Sequence, residues 1–527
     1  MNFEGIFKTK AGLYERIDEK YVKLNLTPRI YELGNGEYSD IKGHTLIKRE
    51  FKTLKEKNNY KKTYGDLKTV YDYPEWNDYV FEKRWQKETP KPRILYLDIE
   101  VMDMNNKKFP QPHIAEAPIT HIQLTDSKTE KTIILYMQEP SQELKDKFKE
   151  VKFIKCNSEL EMFKKFETLL QKINPSVVTA YNGNLFDFPY LYFRSRKVGY
   201  NIDKLSPLSE VRVSVEFKNK DTDEYKKYYE WDRIAEFIKK NDLRKWKIES
   251  FKFDVKGVYY IDYLEVLKSL TYEDLPSYKL EYVAYRYLKE GEGKVSYKHF
   301  NSIFEFYEKD YDGFFEYAIK DPIVLLNLEK KLYLLNTLSF LSYLMGCNYD
   351  TALATVQPWA IHLRNIGMKE KIVLPNDTKH EMDKSIMGGF VKEPIKGLHK
   401  WLFSIDFNSL YPSIMDMLNM CGTTYIDYED LPKELKEIYD LFRDEDEEKL
   451  LNDKNLRDRI GELTHKYDVT FNGQGFFRRD KRGMIAQVVA DIYYNRKNEK
   501  QKMLFANAIL SKYKKKDKEW KMKNLNQ

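Results

Sequence analysis

The sequence predicts a multidomain chain of mixed α/β and α+β class. Three observations carry that prediction. The chain has 527 residues, which at roughly 150 residues per domain leaves room for about three or four. Hydrophobic residues make up 42% and charged residues 33%, a balance too apolar for a disordered chain and sufficient for several packed cores. From residue 94 onward, strand-like runs alternate with helix-like periodicity, the pattern of a sheet flanked by helices.

The elements follow in order. The first 90 residues are rich in Tyr and Lys and hold short strand-like runs such as TPRIYEL (27–33). ETPKPR (88–93) marks a boundary, because Pro cannot continue a ladder. ILYLDIEV (94–101) then reads as a strand. Ser158 and Glu161 have capping-box spacing, and Leu160, Phe163, Phe166, Leu170 and Ile173 follow near a 3.6 period. Asn174-Pro175 stops that helix. VVTAY (177–181) is a strand, and NGN (182–184) a turn. The charged stretch 210–256 reads as a hairpin with an insertion, and 311–346 as helical. Its most apolar run, LYLLNTLSFLSYLMGC (332–347), is too short to span ~30 Å of hydrocarbon and reads as a buried core helix. Gly388-Gly389 and Pro394 open a new unit, with WLFSID (401–406) expected as a strand. The acidic run 443–459 reads as a solvated face, and a long Lys-rich helix is expected from about 483.

Charge and cysteines narrow the class. The net charge is +7, and residues 496–527 alone hold 11 Lys+Arg against 3 Asp+Glu. The basic character therefore belongs to the last segment, which serves phosphate binding or solvation equally well. Cys156, Cys347 and Cys421 form no C-x-x-C, which argues for a reducing compartment and against a zinc or disulfide framework. MNFEGIFKTK has no apolar signal core. The expected location is the cytoplasm, of the host cell if the source is viral, with no membrane partner.

The carboxylates are the informative feature. Asp98 and Glu100 lie two apart on a strand and so share a face, inside an otherwise apolar run where two acids are costly without a cation. Asp187, in YNGNLFDFPY (181–190), follows a strand end, where open α/β sheets build sites. Tyr317 and Asp321 are four apart and share a helix face. Pro322 directly after Asp321 disfavours helix at that residue, so a kink or a fresh helix start is expected there. Asp262, in YYIDYLEV (259–266), is a spare acid weighted towards a structural role.

In order, D-x-E, N-x-x-x-F-D and Y-x-x-x-D resemble the three motifs of DEDD-type 3′–5′ exonucleases, with a tyrosine in the last. Farther on, SIDFNSLYPSI (404–414) closely resembles motif A of family B DNA polymerases. LPSYKLEYVA (275–284), GGFVKEP (388–394) and NRKNEK (495–500) are similar to further segments of that family in its tailed-bacteriophage branch. Ile386 stands where the family has a Tyr before GGFVKEP.

The resemblance implies an RNase H-like exonuclease domain at 93–336. It implies an N-terminal domain at 1–92 with a return segment at about 337–380, a partial palm at 381–482 and the first part of the fingers at 483–527. It implies that Asp98, Glu100, Asp187 and Asp321 bind two Mg²⁺ or Mn²⁺ ions, that Tyr317 orients the attacking water, and that Asn182 and Phe186 shape the pocket. In the palm, Asp406 and the Phe407 carbonyl would hold metal. Ser409 and Leu410 would offer N–H groups to a triphosphate, Tyr411 would stack under the sugar, and Arg496 and Lys500 would face phosphates. After Asp406 this sequence shows neither K-x-x-x-N-S-x-Y-G nor D-T-D-S, and the resemblance implies a palm and fingers without their usual thumb on this chain. One palm carboxylate is too few for two-metal transfer, so nucleotide incorporation is expected only with a second chain. The implied partners are DNA, a dNTP in the completed enzyme, a C-terminal polymerase subunit and a sliding clamp. A natural split and a truncation are both compatible with this. The alternatives are a stand-alone 3′–5′ exonuclease with a polymerase remnant, and a non-enzymatic DNA-binding or assembly module.

Overall fold

The computed structural model describes residues 3–65, 70–72, 79, 91–102, 109–271, 273–288, 299–375, 392–407, 409–444 and 453–524. Ile386 and residues 388–391 of GGFVKEP lie outside them, as do residues 88–90 of ETPKPR and residues 445–452 of the acidic run. The chain divides into two compact units, residues 1–27 with 74–362, and residues 28–73 with 363–527. The division runs across the expected N-terminal segment 1–92 and its return segment, whose residues fall in both units.

The first unit opens with an antiparallel meander, β1 (Phe3–Thr9), β2 (Gly12–Ile17) and β3 (Lys20–Leu24). Its centre is a six-stranded mixed sheet. The strands are β4 (Ile94–Val101), β5 (Ile119–Asp126), β6 (Thr132–Tyr136), β7 (Lys152–Lys155), β8 (Val177–Ala180) and β12 (Tyr259–Asp262). Their spatial order is β7-β6-β5-β4-β8-β12. β4 pairs antiparallel with β5 and parallel with β8. Three more strands, β9 (Val211–Asn219), β10 (Tyr225–Tyr228) and β11 (Trp246–Val255), form a separate antiparallel sheet, with a helix over Trp231–Lys240 between the last two. The hairpin with an insertion expected at 210–256 is this sheet.

The helices that cover the central sheet follow the sequence signals. α1 (Glu159–Ile173) starts where Ser158 Oγ accepts from the Glu161 N–H (3.3 Å), and Glu161 Oε2 in turn accepts from the Asn157 N–H (2.7 Å). It ends at Asn174, which takes a left-handed φ of 49°. α2 spans Asp187–Lys197 and α3 spans Tyr263–Leu270. α4 (Tyr311–Leu332) runs as one helix with Pro322 inside it. The fresh start expected there does not occur. Pro removes one intrahelical donor, but burial of Ala318, Ile319, Val324, Leu325 and Leu328 holds the helix together. The break comes instead at Tyr333, at φ 55°, before α5 (Leu334–Met345).

Both faces of the sheet are covered, and the strand period divides β4 between them. Leu95, Leu97, Ile99 and Val101 pack with Phe163, Phe166 and Leu170 of α1. Ile94 and Tyr96 pack on the other face with Val324, Leu325 and Leu328 of α4. Asp98 and Glu100 continue that second face towards the strand end.

In the second unit, strands Arg29–Asp40, Thr45–Glu50 and Ile372–Val373 share a sheet. The expected strand WLFSID is not formed. Residues 401–407 have no regular structure, and no described residue pairs with them. A strand exists by pairing its N–H and C=O rows, and among the described residues the row has no partner. α6 (Leu410–Met417) follows and packs against α7 (Met484–Asn524). At 1.5 Å per residue α7 is about 60 Å long. Its first turns bury Met484, Ala486, Val488 and Ala490, while residues 495–514 are exposed. Among the described residues, no helix is long and apolar enough to cross a membrane.

Candidate active site

The acids of the first constellation meet where β4 outruns its neighbour. β8 pairs only with Ile94–Tyr96, so the edge of β4 beyond Leu97 is open on that side. The chain leaving β8 turns through Asn182 (φ 60°) and Gly183, where a side chain would come within 2.9 Å of Ala180 and Phe188. This tight turn brings Asp187, the first residue of α2, back over the open edge. Its Oδ1 accepts the Ile99 N–H at 3.2 Å.

Oxygens of Asp98, Glu100 and Asp321 lie within 4.8 Å of one another, and this set could hold a metal ion. Glu100 and Asp321 are buried and Asp98 is partly exposed. α4 supplies Asp321 by packing along β4 and β5. Tyr317, one turn earlier, is buried against Phe306 and Phe314 with Met102 alongside. Asp187 does not join the tight trio. It stands beside it, and its carboxyl is pushed up to about 8, first by burial, with the charges of Asp262 and Asp321 adding to the rise against the Ile99 hydrogen bond.

Asp262 has the structural part. Its oxygens accept the N–H groups of Asn182 (2.9 Å), Asn184 (3.1 Å) and Leu264 (2.9 Å), so it ties the turn and caps α3 together. Burial raises it to about 6 even against those three donors. Phe186 is half-buried, with Tyr190 and the exposed Phe109 against its ring at 5.6 and 5.2 Å. One side chain the motifs do not name touches the trio. Gln123 of β5 lies opposite Asp98 in register and donates to its Oδ2 at 3.0 Å. No motif marks Gln123 in the sequence, since it is one of several polar residues in ITHIQLTD (119–126).

The second constellation is open to solvent. Asp406, Phe407 and Tyr411 are exposed, and Ser409 takes φ 52° at the start of α6. The first N–H groups of a helix have no partner within the helix, so those from Leu410 onward are available. Arg496 and Lys500 lie one turn apart on the exposed part of α7, the helix on which α6 packs. Arg482 pairs with Asp416 beside that packing.

Carboxylate oxygens are hard ligands that suit Mg²⁺ or Mn²⁺, and the trio is composed of such oxygens alone. The arrangement can therefore concentrate divalent charge at a strand end beside a half-buried aromatic pocket.

Comparison with known proteins agrees with this chemistry. Residues 47–283 match the model of the DNA polymerase family B exonuclease domain, and residues 360–516 match that of DNA polymerase family B. The chain is 23% identical to the DNA-directed DNA polymerase of Escherichia phage RB69, over 78% of this chain and 45% of that protein. It is 22% identical to that of Enterobacteria phage T4, over 74% of this chain and 42% of the relative. A DNA polymerase 1 of Pyrococcus abyssi is 26% identical over 67% and 40%. The chain thus spans less than half the length of these curated relatives. With the acids of a D-x-E strand gathered inside the exonuclease match and motif A inside the polymerase match, the chain belongs to the family B DNA polymerases.

Proposed function

We propose that this chain is the N-terminal subunit of a split DNA-directed DNA polymerase. It carries a 3′–5′ proofreading exonuclease in an RNase H-like domain and half of a polymerase site that a second polypeptide completes. The observation that carries the exonuclease reading is the convergence of Asp98, Glu100 and Asp321 oxygens within 4.8 Å.

Asp98 would be shared by two divalent cations, Glu100 and Asp321 would complete one site, and Asp187 the other. When bound, such a pair supplies charge that favours a water nucleophile and the leaving oxygen of an in-line displacement. The protein's own groups do the rest. Tyr317 orients the attacking water, the 181–187 turn with Asn182 and Phe186 seats the 3′-terminal nucleotide, and Asp262 keeps that turn in place. In the palm, Asp406 and the Phe407 carbonyl would hold a metal ion, and the Ser409 and Leu410 N–H groups would meet a triphosphate. Tyr411 stacks under the sugar, while Arg496 and Lys500 contact phosphates.

Segment 401–407, unpaired among the described residues, supports completion by another polypeptide. Trp401, Leu402, Phe403 and Ile405 are 77–95% exposed, an apolar edge suited to pairing with a palm strand from outside this fold. Met503, Leu504, Phe505 and Leu510 of α7 are also exposed apolar side chains.

The test is degradation of a 5′-labelled single-stranded oligonucleotide. The chain is expected to shorten it from the 3′ end with Mg²⁺, stop on chelation and resume when Mg²⁺ is restored. Degradation that continues in the chelator refutes the exonuclease reading. Robust nucleotide incorporation by this chain alone refutes the half-site reading.

A further inference from the structure

Gln123 sits in the middle of β5, fully buried, in a strand whose residues are all buried. Its side chain points to the same face of the sheet as its register partner Asp98. The amide nitrogen donates to Asp98 Oδ2 at 3.0 Å. Turning the amide over would set its carbonyl against the carboxylate, so the charge of Asp98 fixes the orientation. The other end of the amide, Oε1, is then buried with no hydrogen-bond partner among the described residues.

That combination is costly for a residue that only fills space. A buried acceptor without a donor gives up its hydration and gains nothing, whereas a Met or Leu here would pack without that loss. What the amide does gain is control of one carboxylate. With Oδ2 held, the Asp98 group has a fixed plane, and its remaining lone pairs have a fixed aim towards Glu100 and Asp321. Groups that hydrogen-bond to metal-ligating carboxylates set ligand geometry in this way.

Resting on the exonuclease reading, we propose that Gln123 is a positioning residue of the cation site. It clamps Asp98 so that the three carboxylates are preset for a divalent ion, and it does so at the expense of its own unpartnered carbonyl.

The test uses Mn²⁺ alone as probe, with free Mn²⁺ followed by electron paramagnetic resonance in the full chain. Gln123→Met keeps length and volume but removes the donor and the acceptor. It is expected to weaken Mn²⁺ binding about tenfold, to lower kcat for oligonucleotide degradation with KM unchanged, and to leave the unfolding midpoint equal or higher. A lower midpoint with unchanged Mn²⁺ affinity overturns the proposal, because it assigns Gln123 to packing only. If Gln123→Met does not fold, the isosteric Gln123→Glu carries the test. It replaces the donor by a like charge, so weaker Mn²⁺ binding supports the proposal, and equal or tighter binding overturns it. Asp98→Ala separates the two levels. If it loses Mn²⁺ while Gln123→Met keeps it, the positioning role alone fails. If Asp98→Ala also keeps Mn²⁺, the reading of the acids as a cation site fails, and the inference with it.

Discussion

Replacing Asp262 separates a structural carboxylate from a metal ligand. Asp262→Ala removes the acceptor for the N–H groups of Asn182, Asn184 and Leu264. Loss of a helix cap costs about 1 kcal/mol. Each N–H left buried without a partner costs about 1–3 kcal/mol, less where water reaches it, and all three of these hydrogen bonds are only partly buried. Against this, burial of the carboxylate is itself unfavourable, as its rise to about 6 records. The net expectation is a loss of about 2–4 kcal/mol, read by urea denaturation of the full chain, with a marked fall in exonuclease kcat because the turn carries Asp187. Asp262→Asn keeps one acceptor oxygen and removes the buried charge, at the expense of one donor facing a donor. Its stability should lie within about 1 kcal/mol of the parent, with most of the exonuclease rate retained. A parent-like Asp262→Ala refutes the argument. So does an Asp262→Asn variant that is fully stable but inactive, which would make Asp262 a metal ligand.

Three further outcomes follow from the same structure. Arg16 is fully buried, donating to Glu4 (2.6 Å) and to the carbonyls of Asn174 (2.8 Å), Pro175 (2.8 Å) and Gly257 (3.0 Å). Arg16→Met leaves the buried Glu4 without its guanidinium, held among the described residues by Ser176 Oγ (2.8 Å) and the Glu19 N–H (3.0 Å). It should cost about 3–5 kcal/mol in denaturant unfolding, and a loss below about 1 kcal/mol contradicts this role. Asp187, raised to about 8, holds its proton at pH 7 in the metal-free protein, so proton and cation compete. Mg²⁺ affinity by calorimetry should therefore rise with pH up to about 8 and then level off, and a profile flat from pH 6 to 8 contradicts it. Trp401→Lys with Phe403→Lys touches only exposed side chains and should change the stability of this chain by no more than about 0.5 kcal/mol. It should weaken nucleotide incorporation in the presence of a polypeptide supplying D-T-D-S, and undiminished incorporation argues against pairing at this segment.

Local signals were legible where local physics decides. Ser158 and Glu161 mark the start of α1, Asn174 its end, and ILYLDIEV the span of β4, because capping chemistry and apolar runs act within a few residues. The D-x-E pair, Asp321 and Tyr317 were legible as a motif, and burial of Asp98's neighbours explains why acids there are informative. Other features depended on tertiary context. Pro322 sits inside α4 because the packing of Val324, Leu325 and Leu328 outweighs one lost hydrogen bond. WLFSID has strand-like composition but no strand to pair with among the described residues, and composition cannot supply a partner. Asp187 lies beside the acid trio because the turn after β8 sends it to the Ile99 N–H, a contact between residues 88 apart. Gln123 was missed because its role rests on register across two strands.

The proposed exonuclease site depends most on Asp98 as its common carboxylate. The most direct measurement compares the parent with Asp98→Ala on a single-stranded DNA end at saturating Mg²⁺, following one-nucleotide shortening from the 3′ terminus. The expected outcome is a loss of at least about a thousandfold in rate, or about 4 kcal/mol in the barrier, with the folded state intact by circular dichroism. An Asp98→Ala chain that digests as fast as the parent contradicts it.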